Sequence, residues 1–296
     1  MGPITRREAL KLASALGASL AWPSMVLRPG PRPIQERRDL FAHGVASGDP
    51  RPDSVLLWTR RPPESGSAPL ELTVEVARDP DFTRLVSRAR TTVSAAADWT
   101  CRVLAAGLEP GCVYWYRFVD PQGLASRVGR TITAPQEDDA APARFTFVSC
   151  QNMQMGACNA YRRMIYEDQR RPRDAQLQFV LHLGDFVYEV TWYPEDRPQG
   201  YYDRTLKDVV RYPNGEKIAD FHVPTTVDDY RALYRGYLLD PDLQDARARW
   251  PFVCMWDNHE FSWKGWQSQE VFGTVSRRRP ARPPPIRPGS NTSRHG

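Results

Sequence analysis

The chain has 296 residues, 41% hydrophobic and 11% aromatic. That composition packs a globular core and excludes a disordered or fibrous protein, and the length points to two domains. The formal charge of +5 comes from 40 basic and 35 acidic residues, but six arginines and no acid lie in the last twenty positions, which leaves 34 basic against 35 acidic. The first 38 residues carry seven basic and two acidic side chains, so residues 39–276 hold 27 against 33. An acidic body with positive ends argues against a nucleic-acid partner, which requires a basic stripe on a folded face.

Residues 1–38 read as a leader. Arg6 and Arg7 stand ahead of a mildly apolar, small-residue run from Leu12 to Trp22. The run is too short for a permanent membrane span, and paired arginines before it are the pattern read by the twin-arginine (Tat) export machinery. An ordinary amphipathic first helix is the plain alternative. No other segment reads as transmembrane, so the expected location is the periplasm or the exterior of a bacterial cell.

Between Asp39 and Pro135, six runs alternate or are rich in β-branched residues. They are 55–59, 70–77, 85–93, 100–106, 113–119 and 127–133, separated by Pro, Gly and Asp turns. This spacing predicts an antiparallel β-sandwich over 39–135. In the run 113–119, Tyr114, Tyr116 and Phe118 fall on one face, as in a half-buried strand. The five cysteines are odd in number and lack a CxxC pair, which argues against a disulfide framework. Cys101 with Cys112 is the one plausible bridge, and free buried cysteine the commoner state.

Past the acidic linker 136–139 the pattern becomes apolar strands followed by helical stretches, an α/β organisation over 140–276. The strands lie within 144–151, 178–189 and 250–260. The first ends in Cys150, the second in Gly184-Asp185 and the third in Asp257-Asn258-His259-Glu260. Carboxyl ends of strands are where open α/β sheets place their sites. An aspartate there can bridge two cations, with Gly184 letting the backbone turn closely beneath it. Tyr188 can offer a phenolate, Cys150 a thiolate suited to transition metals, and Asn258 an amide oxygen. His259 is placed to protonate a leaving group or hold a phosphate oxygen. His182 alternates with leucines inside its strand and reads as a packing or supporting residue. Arg162 and Arg163 can meet phosphate or form a solvated helix face. Residues 190–249 form an insertion with Trp192, Tyr193, Tyr201 and Tyr202, which either covers the cleft or packs on the sheet. A helical pattern runs from Thr226 to Arg249, with Thr225 or Thr226 as cap and Asp228 and Asp229 in the first turn.

Gly184-Asp185-Phe186-Val187-Tyr188 and Asp257-Asn258-His259-Glu260 match the GDxxY and [DN]HE motifs of calcineurin-like metallophosphoesterases. With Cys150-Gln151 before them, the chain resembles the alkaline phosphatase D (PhoD-like) family. Residues 41–60 look like the start of that family's N-terminal domain. The resemblance implies a fibronectin III-like β-sandwich followed by a partial α/β metallophosphoesterase domain, an incomplete αββα sandwich. It implies Fe3+ held by Cys150, Asp185 and Tyr188, and Ca2+ on the other side of Asp185, with Asn258 among the metal residues. The implied activity is hydrolysis of a phosphate ester by a metal-activated hydroxide, with Asp185 and His259 as the catalytic residues.

The likeness runs from about Phe41 to about Val275. Family members continue with a GDxH-type segment and further Asp and His ligands, and nothing downstream of Glu260 matches these. Two expectations therefore stand side by side: a phosphoesterase whose metal ligands are incomplete here, and an inactive exported β-sandwich module carrying a degenerate phosphatase half. An unpaired edge is expected on the strand 250–256. The Arg/Pro-rich segment 277–296 is expected to lack regular structure.

Overall fold

In the computed structural model the described residues are 33–262, 269–272 and 275–280. The leader with Arg6 and Arg7, both Trp263 and Trp266, and residues 281–296 lie outside them. No helix among the described residues is long and apolar enough to cross a membrane.

Alternation of apolar and polar side chains builds the first half. Its strands are β1 (Gln35–Glu36), β2 (Val45–Gly48), β3 (Ser54–Arg60), β4 (Leu70–Ala77), β5 (Leu85–Val93), β6 (Thr100–Ala106), β7 (Val113–Val119), β8 (Leu124–Ala125) and β9 (Gly129–Ile132). One sheet has the order β2-β3-β6, antiparallel throughout. The other runs β1-β8-β7-β4-β5, with β9 also on β7. The inward residues share one core: Val55 and Leu57 from β3, Leu72, Val74 and Val76 from β4, and Tyr114, Tyr116 and Phe118 from β7. Tyr114, Tyr116 and Phe118 are buried while Val113, Trp115 and Arg117 between them are only partly so, the half-buried strand that the alternation predicts. Any side chain at Gly129 would strike the Tyr116 ring, so only glycine lets β9 lie against that aromatic. Interior charges are matched: Arg61 Nη2 donates to Asp120 Oδ2 at 3.0 Å, with both side chains enclosed. Cys101 and Cys112 are free thiols, as are the other three cysteines, so the bridge weighed from sequence is not formed.

The second half contains β10 (Phe145–Val148), α1 (Asn159–Gln169), β11 (Phe179–His182), the hairpin β12 (Glu216–Ile218) and β13 (Phe221–Val223), α2 (Val227–Tyr237), α3 (Pro241–Arg249), β14 (Phe252–Cys254), and the antiparallel pair β15 (Gln269–Phe272) and β16 (Val275–Pro280). The order β10-β11-β14 is parallel, with Val148, His182 and Cys254 in one row and Phe147, Leu181 and Val253 in the next. One face buries Val180 and Phe252 against Tyr161, Leu233, Tyr237, Leu243 and Trp250 of the helical layer. The opposite face presents Phe145, Phe147, Leu183, Val253 and Met255 to solvent, Phe147 being 68% exposed.

The single helical stretch expected over 226–249 is two helices. Pro241 has no N–H for the carbonyl of Tyr237, so α2 ends and α3 restarts at that proline behind the Asp240 cap, whose Oδ1 accepts from Leu243 N at 2.9 Å. Thr226 caps α2 in a reciprocal box with Asp229. Strand β16 carries regular structure through Arg277–Pro280, into the segment expected to have none; arginine keeps its N–H, and proline is tolerated at a strand's end.

The two halves are joined tightly. Gln244 donates to Ala42 O at 2.8 Å, Arg235 pairs with Asp98 at 2.9 Å, and Ser47 bridges Pro251 in parallel. The outer edge of β14 thus meets β2 at its start.

Candidate metal centre

Three chain reversals at the carboxyl ends of β10, β11 and β14 make the site. Cys150 (φ +57°) and Asp185 (φ +54°) both occupy the left-handed region, a conformation costing roughly 1–3 kcal/mol each and kept where surrounding structure enforces it. Here the enforcement is reciprocal: Cys150 N donates to Gly184 O at 3.3 Å, and Gln151 N to Asp185 O at 3.1 Å. Gly184 itself stands at φ +100°, and a Cβ there would lie 2.5 Å from Asp257 Cβ. Glycine is therefore required both by conformation and by the approach of the third loop.

Glu260 ties these loops together. Its buried carboxylate accepts from Asp185 N at 3.1 Å, Phe186 N at 2.6 Å and Asp257 N at 2.7 Å. Burial raises its pKa even so. The short helical turn Asn258–Glu260 follows, and His259 N donates to Asp185 Oδ1 at 3.3 Å.

The donors converge on one atom. Asp185 Oδ2 lies 3.5 Å from Cys150 Sγ and 3.3 Å from the Tyr188 hydroxyl. Burial, followed by the Asp185 charge, holds the Tyr188 phenol well above its ordinary pKa, so the phenol is neutral while protons alone mediate these contacts. Thiol, carboxylate and phenol around one point form a donor set that suits a multiply charged transition-metal ion, which displaces such protons. Asn258 stands one residue before His259 in the turn that touches Asp185. The structure thus brings together Cys150, Asp185, Tyr188 and the 258–259 backbone. Among the described residues no group of three or more His, Cys, Asp or Glu side chains is placed to hold a metal; the convergent set reaches three donors only with tyrosine.

His259 is gripped on two sides. Its Nδ1 is 2.6 Å from Glu189 Oε2, and the Tyr188 ring stacks on it at 4.1 Å between centroids. Burial alone would lower the His259 pKa, but the hydrogen bond and charge of Glu189 outweigh it and raise the value. Neither Glu189 nor the role of Glu260 emerges from sequence reasoning, although both stand in the quoted runs. An acid directly after GDxxY in an otherwise apolar run was the available signal.

Other expected residues fall elsewhere. His182 is wholly buried against Phe186 with centroids 5.0 Å apart, and burial pushes its pKa down to about 4; it is a packing residue. Arg162 pairs with Asp242 at 2.9 Å and Arg163 with Glu167 on the solvent side of α1. In the insertion, Trp192 packs with Phe221, Val223 and Leu206, and Tyr193 stacks on His222. Tyr201 and Tyr202 are exposed. A cavity of about 220 Å3 between the sandwich and the β14 loop is lined by Trp58, Arg102, Phe186, Arg247, Met255 and Trp256 among others, and by none of the convergent donors.

Comparison with known proteins finds matches to both halves of the chain. Residues 28–135 match the family model of the PhoD-like phosphatase N-terminal domain, and residues 145–282 that of the PhoD-like phosphatase. Alkaline phosphatase D of Bacillus subtilis (strain 168) is 37% identical over 227 residues, covering 74% of this chain and 35% of that protein. A solved structure of PhoD superposes with a TM-score of 0.65 at 30% identity, covering 84% of this chain and 43% of the other. The chain therefore spans about a third of the length of the curated relative that it matches. On the two family models and these two relatives, the chain belongs to the PhoD-like phosphatase family.

Proposed function

We propose that this chain carries the metal-binding part of a phosphoesterase site for phosphate mono- or diesters outside the cytoplasm. The observation that carries the reading is the convergence of thiol and phenol on Asp185 Oδ2 within 3.5 Å. Cys150, Asp185 and Tyr188 would hold a ferric ion, and Asp185 with Asn258 calcium. Such cations, when bound, lower the pKa of an attacking water and offset charge on phosphoryl oxygens. The protein's own contribution is orientation. His259 N holds Asp185 Oδ1, which leaves Oδ2 toward the thiol and phenol, and the His259 ring offers a proton or a hydrogen bond to the ester. The acidic body repels a polyanionic ester such as teichoic acid unless cations fill the cleft, which is consistent with a metal-dependent site.

The same reading assigns residues 1–38 to twin-arginine export, supported by Arg6-Arg7 and the apolar run behind them, and residues 39–135 to a structural module. The order β2-β3-β6 facing β5-β4-β7-β9 supports a fibronectin III-like description of that module.

The test is metal analysis of the purified chain together with turnover of p-nitrophenyl phosphate and bis-p-nitrophenyl phosphate. Bound iron that is lost in Cys150→Ser, with measurable hydrolysis, is the expected outcome. The small donor set among the described residues favours a second reading, an inactive exported module; no iron and no turnover would leave that reading alone.

A further inference from the structure

We propose that Glu189 is the positioning residue of this site, a buried carboxylate that accepts from His259 Nδ1 and so turns Nε2 toward the phosphate ester. Glu189 is 0% exposed, and its Oε2 lies 2.6 Å from His259 Nδ1. Its Oε1 has no hydrogen-bond partner among the described residues, so His259 is the one side chain that compensates the carboxylate. A buried carboxylate without compensation is strongly disfavoured, which fixes the ring as firmly as it fixes the acid. Because an ionised carboxylate only accepts, the hydrogen sits on Nδ1, and Nε2 is left for the ligand.

Three further contacts remove the ring's remaining freedom. The Tyr212 hydroxyl donates to Glu189 O at 2.7 Å and anchors the carboxylate's backbone. Tyr188 stacks on the imidazole at an interplanar angle of 30°. His259 N is bound to Asp185 Oδ1, so the ring is registered to the carboxylate on which the metal donors converge. The inference rests on the phosphoesterase reading for the identity of the ester, though not for the ring geometry. In the reaction, a water oxygen forms the new bond to phosphorus and releases a proton to solvent. The ester P–O bond breaks with its electron pair on the departing oxygen, and that oxygen takes the Nε2 proton of a ring that solvent has first doubly protonated. The ring is then neutral with hydrogen on Nδ1 until solvent again protonates Nε2.

The test labels histidine with 15N in the intact chain, whose five imidazoles are few enough to assign. A long-range proton–nitrogen correlation reads which nitrogen carries hydrogen in the neutral His259 ring. The expected result is Nδ1–H in the parent chain, the reverse of the form that free histidine favours. Glu189→Gln, whose amide oxygen still accepts, keeps Nδ1–H with an upfield-shifted proton; Glu189→Met, checked for fold by circular dichroism, reverts to Nε2–H. Nε2–H in the parent chain, or a Gln variant with an unmoved proton, overturns the proposal. On turnover, Glu189→Met loses about 100-fold on an alkyl phosphate and far less on p-nitrophenyl phosphate, whose phenolate departs without a proton. Equal losses on both esters count against the positioning role. A parent chain with the expected ring form and no turnover sinks the phosphoesterase reading and leaves the ring assignment standing.

Discussion

The sandwich and the α/β half solve the same burial problem differently. In the sandwich, two sheets turn their apolar faces on each other, and interior charge such as Arg61 is met by Asp120. In the α/β half, the parallel sheet covers one face with helices and leaves Phe145, Phe147, Val253 and Met255 in water. Parallel sheets are ordinarily covered on both faces. Left-handed backbone occurs in both halves, at Phe82, Asp98 and Trp99 in the sandwich for example, but at the rim of the α/β sheet Cys150, Gly184 and Asp185 bring it together with reactive side chains. The sandwich is thus marked by closure, and the other half by reactive groups held on left-handed backbone at an open sheet's rim.

Four substitutions probe that contrast. Asp120→Ala strands the enclosed Arg61 guanidinium and frees Gln122 N and Leu124 N, and is expected to lower stability by about 4 kcal/mol in urea titration. A loss below 1 kcal/mol would break the picture of a sandwich secured by paired interior charge. Gly184→Ala places a methyl against Asp257, with an expected cost of about 3 kcal/mol and lost metal uptake; unchanged metal content would show the rim to be pliable. Thr226→Ala removes the α2 cap and should cost about 1 kcal/mol by thermal denaturation. Phe147→Asp, on the open face, is expected to stay within about 0.5 kcal/mol of the parent and to raise solubility in light-scattering assays. A marked destabilisation there would mean that the face is covered in solution.

Legibility from sequence followed locality. The runs 70–77, 85–93, 100–106 and 113–119 coincide with β4, β5, β6 and β7, because period-two alternation is written within each strand. The two-residue strands β1 and β8 escaped notice, being too short to alternate, as did β2, whose Ala-Ser-Gly carries no β-branched signal after Val45. The cysteine, Gly-Asp and His residues were readable as a rim because each follows an apolar strand. What binds the rim was not: Glu260 reaches residues 74 and 75 positions away, Glu189 meets a ring 70 positions on, and no pattern within a window encodes such a meeting. Arg162 is a like case, since only the position of Asp242, 80 residues on, decides between ligand and surface roles, whereas Arg163 pairs with Glu167 one helical turn away, a spacing the sequence does carry.

Glu260 sits in an acidic motif and looks, from its chemistry, like one more group for a cation. Yet both its oxygens are already committed to backbone N–H groups of two separate loops. The last letter of Asp-Asn-His-Glu is therefore a brace and not a ligand. Counting carboxylates in such a motif overstates the negative charge offered to an ion, and swapping this glutamate should move the positions of the other donors before it changes what they can bind.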